Sequence, residues 1–222
     1  MPGGTRVPVS HVVWDWNGTL FDDFWLTARI ATATLTEMGV PGISGEAVRD
    51  SFTRPFHVFY SRLLGRTVTA EEFAYIRRRY EAEYDSEVFG LSLQHDAERA
   101  LELVAVRATQ SLLSMAPDGQ LQALVDHHAI RHRFLRVEGS PTASSDGNKA
   151  TRLRDHLATL HIEPQRCVIV GDTVDDQEAA AGCGARAVLV TSGSQSRAAL
   201  EATGSVVVDT LLDAADIATA AA

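Results

Sequence analysis

Short apolar runs alternate with helical patterns from about residue 108 onward, and this alternation constrains the fold more than any other feature of the sequence. Nearly continuous apolar strands separated by helices are typical of a parallel sheet covered on both faces. We therefore predict an α/β fold with a doubly wound parallel sheet. The predicted strands are Val9–Trp14, Thr109–Leu113, Phe134–Val137, Cys167–Val170, Ala187–Val190 and Val206–Val208. The predicted helices between the later strands are Gly119–His127, Lys149–Leu160, Asp175–Ala181 and Arg197–Ala202.

The segment 24–91 departs from this alternation. It contains amphipathic helical patterns, such as Leu26–Met38 and Ala70–Tyr84, and no convincing strand. We predict a small helical domain inserted after the first strand, at 24–91, and an α/β core formed by 1–23 and 92–222.

Composition limits the classes of partner. The chain has 222 residues, 45% of them hydrophobic, and a net charge of −9. That charge argues against nucleic acid or an anionic membrane as partner, but a local cluster of donors could still bind a small anion.

No apolar run approaches the roughly 20 residues that span a bilayer, and the first residues show no signal-peptide pattern. Cys167 and Cys183 read as reduced thiols. We expect a cytoplasmic monomer, with a dimer as the alternative.

Two of the predicted strands are followed by acidic residues. Asp15 comes directly after Val12–Trp14, and Gly18 and Thr19 then permit a sharp turn; Asp172 follows Cys167–Val170 and Gly171. Ligands of open α/β sheets bind beyond the carboxyl ends of the strands. Carboxylates gathered there need a cation, and hard oxygen ligands suit Mg²⁺. The alternative interpretations are that Asp15 caps a turn, and that Asp175 and Asp176 only favour a helix N-terminus.

Ser114 and Lys149 add groups that could bind an anion. Ser114 follows the Thr109–Leu113 run, and Lys149 opens a helical pattern after a polar loop. A hydroxyl and an ammonium at such positions can hold phosphoryl oxygens. Taken alone, each residue is better explained as a turn serine or a solvated lysine.

In order and spacing, DWNGT (15–19), Ser114, Lys149 and GDTVDD (171–176) resemble the four motifs of the haloacid dehalogenase-like (HAD) superfamily. The helical insertion resembles the small cap of its phosphoglycolate phosphatase-like members. The resemblance implies a Rossmann-like core and a phosphomonoester hydrolase that acts on a small phosphorylated metabolite. It also implies that Asp15 attacks phosphorus to give an aspartyl-phosphate.

The same resemblance implies roles for the other motif residues. Mg²⁺ would be held by Asp15, Asp172 and the backbone carbonyl of Asn17, with Asp176 a further ligand or a neighbour of the ligands. Ser114 and Lys149 would hold the phosphoryl oxygens, with Gly18 and Thr19 also at the substrate. Lys149 is followed by Ala150, a departure from the usual Lys-Pro pattern.

Asn17 departs from the family pattern, because the family's phosphatases typically carry an aspartate there as general acid and base. An amide does not exchange that proton, and such assistance is worth roughly 10²–10⁴-fold. One interpretation is a phosphatase that uses good leaving groups or takes a proton from Asp22, Asp23 or His57. A second is a slow regulatory protein that binds a phosphate ligand or a partner. A metal-free hydrolase that attacks carbon through Asp15 is the weakest, since it leaves GDTVDD unexplained.

Two further patterns have competing interpretations. Arg54, in FTRPFHVFY (52–60), could bind a second anionic group of the substrate, or could be a surface residue at a joint between helices. His128 and His132 have the i, i+4 spacing of a zinc site but no nearby thiolate or carboxylate, so we favour the polar end of a helix.

Overall fold

A computed structural model describes residues 8–141 and 148–220. Its six strands form one sheet in the order β3-β2-β1-β4-β5-β6, and every neighbouring pair is parallel. This is the predicted doubly wound α/β fold. The strands are β1 His11–Trp14, β2 Thr109–Pro117, β3 Val137–Ser140, β4 Cys167–Gly171, β5 Arg186–Val190 and β6 Val206–Val208.

Ten α-helices cover and extend this sheet within the described residues. They are α1 Phe24–Glu37, α2 Gly45–Ser51, α3 Phe56–Leu64, α4 Ala70–Glu87, α5 Ala97–Ala105, α6 Asp118–His127, α7 Lys149–Thr159, α8 Val174–Cys183, α9 Arg197–Glu201 and α10 Leu211–Thr219. Short 3₁₀ turns lie at Val88–Gly90, Arg131–Arg133 and Pro164–Arg166. Among the helices of the described part of the chain, none combines the length and apolarity required to cross a membrane.

Alternating residues of β1 enter two different cores. Val12 and Trp14 belong to the cluster that includes residues of α5, α6 and α10, whereas Val13 packs with residues of α7 and α8. The strand is therefore buried on both faces, as a continuous apolar run predicts. Its register pairs Trp14 with Leu112 and with Val170, so the residues that follow β1 and β4 emerge side by side.

Two strand predictions need correction. The third strand is Val137–Ser140 instead of Phe134–Val137, since Phe134 follows a 3₁₀ turn. Strand β2 continues to Pro117, so Ser114 lies inside it instead of after it, where the register with β3 shifts between Leu113 and Pro117. An irregularity of this kind re-aims side chains at the edge of a site.

Helices α1 to α4 have an apolar cluster of their own. It includes Phe24, Leu35, Val48, Phe59 and Ile76. Helix α1 begins at Phe24 and the 3₁₀ turn after α4 ends at Gly90, so the predicted range 24–91 contains these helices. The division into an independent cap and core stays a prediction.

Candidate active site

Asp15 lies just beyond the carboxyl end of β1. Its backbone N–H donates to the Val170 carbonyl oxygen (2.9 Å), which continues the pairing with β4 by one residue, and its side chain is buried. The chain then turns through Gly18, whose φ of +71° is unfavourable for other residues. A Cβ on Gly18 would also overlap the Asp172 carboxylate, so glycine is required here on two grounds.

Asp172 and Asp176 are fixed where β4 leads into α8. Asp172 accepts hydrogen bonds from the Ser194 backbone N–H (2.6 Å) and from Thr19 Oγ1 (3.3 Å). Asp176 closes a capping box, in which its Oδ2 accepts from the backbone N–H (3.0 Å) and the Oγ1 (2.6 Å) of Thr173. Asp176 therefore does stabilise the N-terminus of α8, as the alternative interpretation held, and its Oδ1 remains directed into the site.

Lys149 contacts a carboxylate from each of the two acidic segments, the one after β1 and the one after β4. It is the first residue of α7, whose N-terminus is capped by the Asn148 side chain. Its Nζ lies 2.5 Å from Asp15 Oδ1 and 2.5 Å from Asp176 Oδ1. The ammonium is nearly buried, so these two carboxylates replace its hydration. The surface interpretation of Lys149 is wrong.

Burial and mutual repulsion dominate the electrostatics of the acids. Burial raises the pKa of Asp15 to about 6; the Lys149 charge acts in the opposite direction, and the Asp176 charge adds to the rise. Burial, with the charges of Asp15 and Asp176, raises the pKa of Asp172 well above its usual range. A cation between them would relieve both effects.

Oxygens of Asp15, Asp172 and Asp176 all lie within 4.8 Å of one another, and this is the one group of three possible metal ligands in the described residues. Three ionised carboxylates and one ammonium leave a charge of −2, which a divalent ion would balance. The donors are all hard oxygens, the kind that Mg²⁺ prefers. The residues present therefore fit such an ion.

Ser114 and Asn17 lie beside this cluster. Ser114 Oγ accepts from the Ala116 backbone N–H (3.0 Å) and is 3.5 Å from Asn17 Oδ1. The Asn17 amide is held from the other side, because its Nδ2 donates to Asp23 Oδ2 (2.7 Å) and to the Tyr84 hydroxyl (3.0 Å). An acceptor-only partner fixes which end of an amide is nitrogen, so Oδ1 faces Ser114.

The Asp23 carboxylate accepts hydrogen bonds from three groups. Besides Asn17, the Tyr84 hydroxyl donates to its Oδ2 (2.8 Å) and the Gly18 backbone N–H to its Oδ1 (2.9 Å). Burial raises the pKa of Asp23, and these donors act in the opposite direction. Sequence reasoning named Asp23 only as a proton source and missed Tyr84, which is 61 positions away in the sequence.

A cavity of about 470 Å³ opens above these residues, and Asp15, Asn17, Ser114, Lys149 and Asp172 are part of its lining. Its wall on the helical side comes from α3, α4 and Phe52. Arg54 also lines it, but its Nε lies 3.2 Å from Asp175 Oδ2 and its guanidinium is stacked over the Phe56 ring at 4.7 Å. Asp175 therefore meets one edge of the guanidinium, and the buried Nη1 has no hydrogen-bond partner among the described residues.

Several predicted residues take other positions. Thr19 is fully buried against Asp172 and the Gly18 carbonyl accepts from Ser192 Oγ, so both support the acidic cluster instead of facing the cavity. Asp22 is exposed. His57 is also exposed and lies in a separate open pocket that Pro55, Asn148 and Lys149 help to line. His128 packs against Phe21 and Trp16. Among the described residues, no cluster of possible metal ligands contains His128 and His132.

Arg152 was missed by sequence reasoning. Its Nη1 donates to the Ser114 carbonyl (2.7 Å), and its Nη2 contacts the Gly139 carbonyl. It therefore holds the irregular part of β2 against β3. The sequence held one indication of this role: Arg152 follows Lys149 by three residues, so both side chains lie on the same face of α7.

Comparison with known proteins follows the same lines as the geometry. The family model described as haloacid dehalogenase-like hydrolase matches residues 12–181, and a second model of this kind matches residues 149–214. The chain belongs to the haloacid dehalogenase-like hydrolase family.

Relatives within the HAD family differ in their names. Tyrosine-protein kinase PtkA of Mycobacterium tuberculosis is 28% identical over 185 residues, which is 82% of this chain and 62% of that protein. The chain thus spans less than two thirds of the length of this relative. Phosphoglycolate phosphatase of Aliivibrio fischeri is 25% identical over 193 residues, 83% of this chain and 85% of that protein.

Solved structures of the HAD family share the fold. A haloacid dehalogenase-like family protein from Streptococcus pneumoniae superposes with a TM-score of 0.78 at 20% identity, covering 93% of this chain and 96% of that one. A HAD family hydrolase from Deinococcus radiodurans, described with bound phosphate and sodium, has a TM-score of 0.71 at 17% identity and covers 95% of each chain.

Proposed function

We propose that the chain is a Mg²⁺-dependent phosphomonoester hydrolase that acts on a small phosphorylated metabolite through an aspartyl-phosphate on Asp15. The observation that carries the proposal is the junction of Asp15, Asp172 and Asp176 within 4.8 Å, with the Lys149 ammonium 2.5 Å from two of them. The relatives' names denote phosphoryl transfer, to water for a phosphatase and to tyrosine for a tyrosine kinase. We assign transfer to water.

Each residue has a chemical role in this proposal. Asp15 attacks the phosphoryl phosphorus. Asp15, Asp172, Asp176 and the backbone carbonyl of Asn17 would hold Mg²⁺, which would offset charge on the transferring group. Lys149 and Ser114 hold phosphoryl oxygens. Because transfer of this kind depends on position and charge stabilisation, these groups supply most of what the reaction needs. We further expect a cytoplasmic monomer.

A second candidate, a catalytically weak protein that binds a phosphate ligand or a partner, is favoured by the Asn17 amide. The Asp23 carboxylate and the Tyr84 hydroxyl hold both N–H groups of this amide, so position 17 presents an oxygen and no proton to the phosphoryl site. Both candidates need the phosphate site; only the first needs turnover.

The discriminating experiment compares wild type, Asp15→Asn and the double variant Asn17→Asp/Asp23→Asn on an activated aryl phosphate, with Mg²⁺ or with a chelator. The double variant exchanges donor and acceptor at the 2.7 Å contact, so it introduces the acid without placing two carboxylates together. The hydrolase proposal expects Mg²⁺-dependent turnover by wild type, none by Asp15→Asn, and an acid-stable, hydroxylamine-labile phosphoprotein only when Asp15 is present. An inactive wild type beside an active double variant would support the binding protein.

A further inference from the structure

Two features of the site, the Asn17 amide and the wall of the cavity, determine which leaving groups the phosphoryl site can accept. On the side of the phosphoryl site, the Asn17 amide offers Oδ1, an acceptor, since both of its N–H groups are directed to Asp23 and Tyr84. A departing oxygen therefore receives no proton from this residue. A water molecule that attacks the aspartyl-phosphate could still donate a hydrogen bond to Oδ1 and be oriented by it.

Aromatic side chains are concentrated around the cavity. The chain has eight Phe, four Tyr and three Trp, and seven of these fifteen line this one space of about 470 Å³. Aromatic side chains favour a second ring in offset or edge-to-face contact. The seven are Phe52, Phe56, Phe59, Tyr60, Phe73, Tyr80 and Tyr84.

The size of the cavity disfavours a small leaving group. A two-carbon acid would leave most of this volume, including the space beside the seven aromatic side chains, to water, whereas drug-sized ligands occupy sites of roughly 300–1,000 Å³. Arg54 lies in this wall with its Nε 3.2 Å from Asp175 Oδ2 and its guanidinium stacked on Phe56, while its buried Nη1 has no hydrogen-bond partner among the described residues. It is therefore the size of the cavity, and not its charge, that disfavours the small leaving group.

We infer that the substrate is a phosphomonoester of a phenol, with the ring held among the aromatic side chains above Asp15. This inference rests on the proposed function. Asp15 forms a bond to phosphorus while the phosphorus–oxygen bond to the ring breaks, and the electron pair leaves on oxygen as a phenolate, which then takes a proton from solvent. Water next attacks phosphorus as the phosphorus–oxygen bond to Asp15 breaks; the electron pair returns to the Asp15 carboxylate, one proton of the water stays on the inorganic phosphate, and the other passes to solvent. A phenol has a pKa of about 10, far below that of water at about 15.7, so its oxygen can depart without an acid.

The inference predicts a particular dependence on the leaving group. With wild type, kcat/KM for substituted phenyl phosphates should fall steeply as the pKa of the phenol rises, and O-phosphotyrosine should exceed O-phosphoserine and 2-phosphoglycolate by at least roughly 100-fold. With Asn17→Asp/Asp23→Asn the slope should flatten and the alkyl esters should gain most. Wild-type activity on the alkyl esters within tenfold of that on phenyl phosphate would overturn the inference.

The cavity wall is tested separately. Phe56→Leu keeps apolar volume but removes a ring, so KM for phenyl phosphate should rise roughly two- to tenfold while inhibition by inorganic phosphate and the slope against phenol pKa stay unchanged. Phe89→Leu is the matched control, since Phe89 is exposed and lies outside the cavity. An unchanged KM in Phe56→Leu contradicts the placement of the ring.

Two further arms separate the possible failures. Loss of all turnover in Asp15→Asn, together with indifference to the leaving group in wild type, would keep the proposed hydrolase and contradict the phenolic class. Full activity of Asp15→Asn would contradict the proposed function, since turnover would then not pass through an aspartyl-phosphate on Asp15. Turnover of free O-phosphotyrosine alone would assign the class to small molecules, and turnover of a phosphotyrosine peptide as well would extend it to proteins. Either of these last two results supports the phenolic class.

Discussion

Asn17→Asp alone is expected to destabilise the protein in a strongly pH-dependent manner. The change replaces the Nδ2 that lies 2.7 Å from Asp23 Oδ2 with an oxygen, and rotation of the symmetric carboxylate offers no relief. Two unit charges at that separation repel by about 6 kcal/mol at an effective dielectric constant of about 20. The two carboxylates will instead share a proton, so the loss in free energy of unfolding cannot exceed the cost of protonating one of them.

The cost of protonation therefore sets the expected loss of stability. From an ordinary aspartate pKa of about 3.9, holding one carboxyl protonated costs about 4 kcal/mol at pH 7 and about 1.5 kcal/mol at pH 5. The folded pKa of the pair is raised, so the folded variant binds more protons than the unfolded chain, and its stability falls as pH rises above about 4. Wild type lacks this second carboxylate and should not show the added slope.

Urea unfolding at pH 5 and pH 7 measures the effect in four proteins: wild type, Asn17→Asp, Asp23→Asn and the double variant. The double variant should recover most of the loss at pH 7, since the amide introduced at position 23 then donates to the carboxylate introduced at position 17. The reasoning fails if Asn17→Asp is as stable as wild type at pH 7, or if the double variant adds the two single losses without coupling.

Other expectations concern the ion, the site lysine and the buried histidines. Mg²⁺ at about 100 times its Kd should stabilise wild type by about 2.7 kcal/mol in thermal unfolding, and Asp15→Asn should respond less. Lys149→Met leaves the acids without their ammonium, so phosphate binding should fall at least roughly tenfold by titration; unchanged binding would contradict its role. Ser111 Oγ lies 2.8 Å from Nε2 of both His11 and His156, so Ser111→Ala should cost about 2–4 kcal/mol in urea unfolding. Burial, with the His156 charge, lowers the pKa of His11 to about 4, below the unfolded value of about 6.5, so stability should decrease as pH falls from 6.5 to 4; a flat profile would count against this.

Much of the fold could be predicted because the strands are buried on both faces. Val12 to Trp14 and Cys167 to Val170 read as continuous apolar runs for that reason, and the acids after them had to emerge at one edge of the sheet. The ends of β2 and β3 were misplaced, since an irregularity in register leaves no periodic signal.

The site could be predicted only where a residue follows a strand or opens a helix. Asp15, Asp172 and Lys149 have such positions, and the backbone alone brings them together. Tyr84 does not: it reaches Asp23 from a polar helix, and only its burial shows that this hydroxyl is used inside the protein. Its contact helps to decide which end of the Asn17 amide faces the phosphoryl site, so the residue that departs from the family pattern is fixed by a helix that the motifs do not include. A substitution of Asn17 by aspartate alone would therefore place a second carboxylate against Asp23, which can only accept hydrogen bonds when ionised. For this reason an acid introduced at position 17 needs a compensating change at position 23.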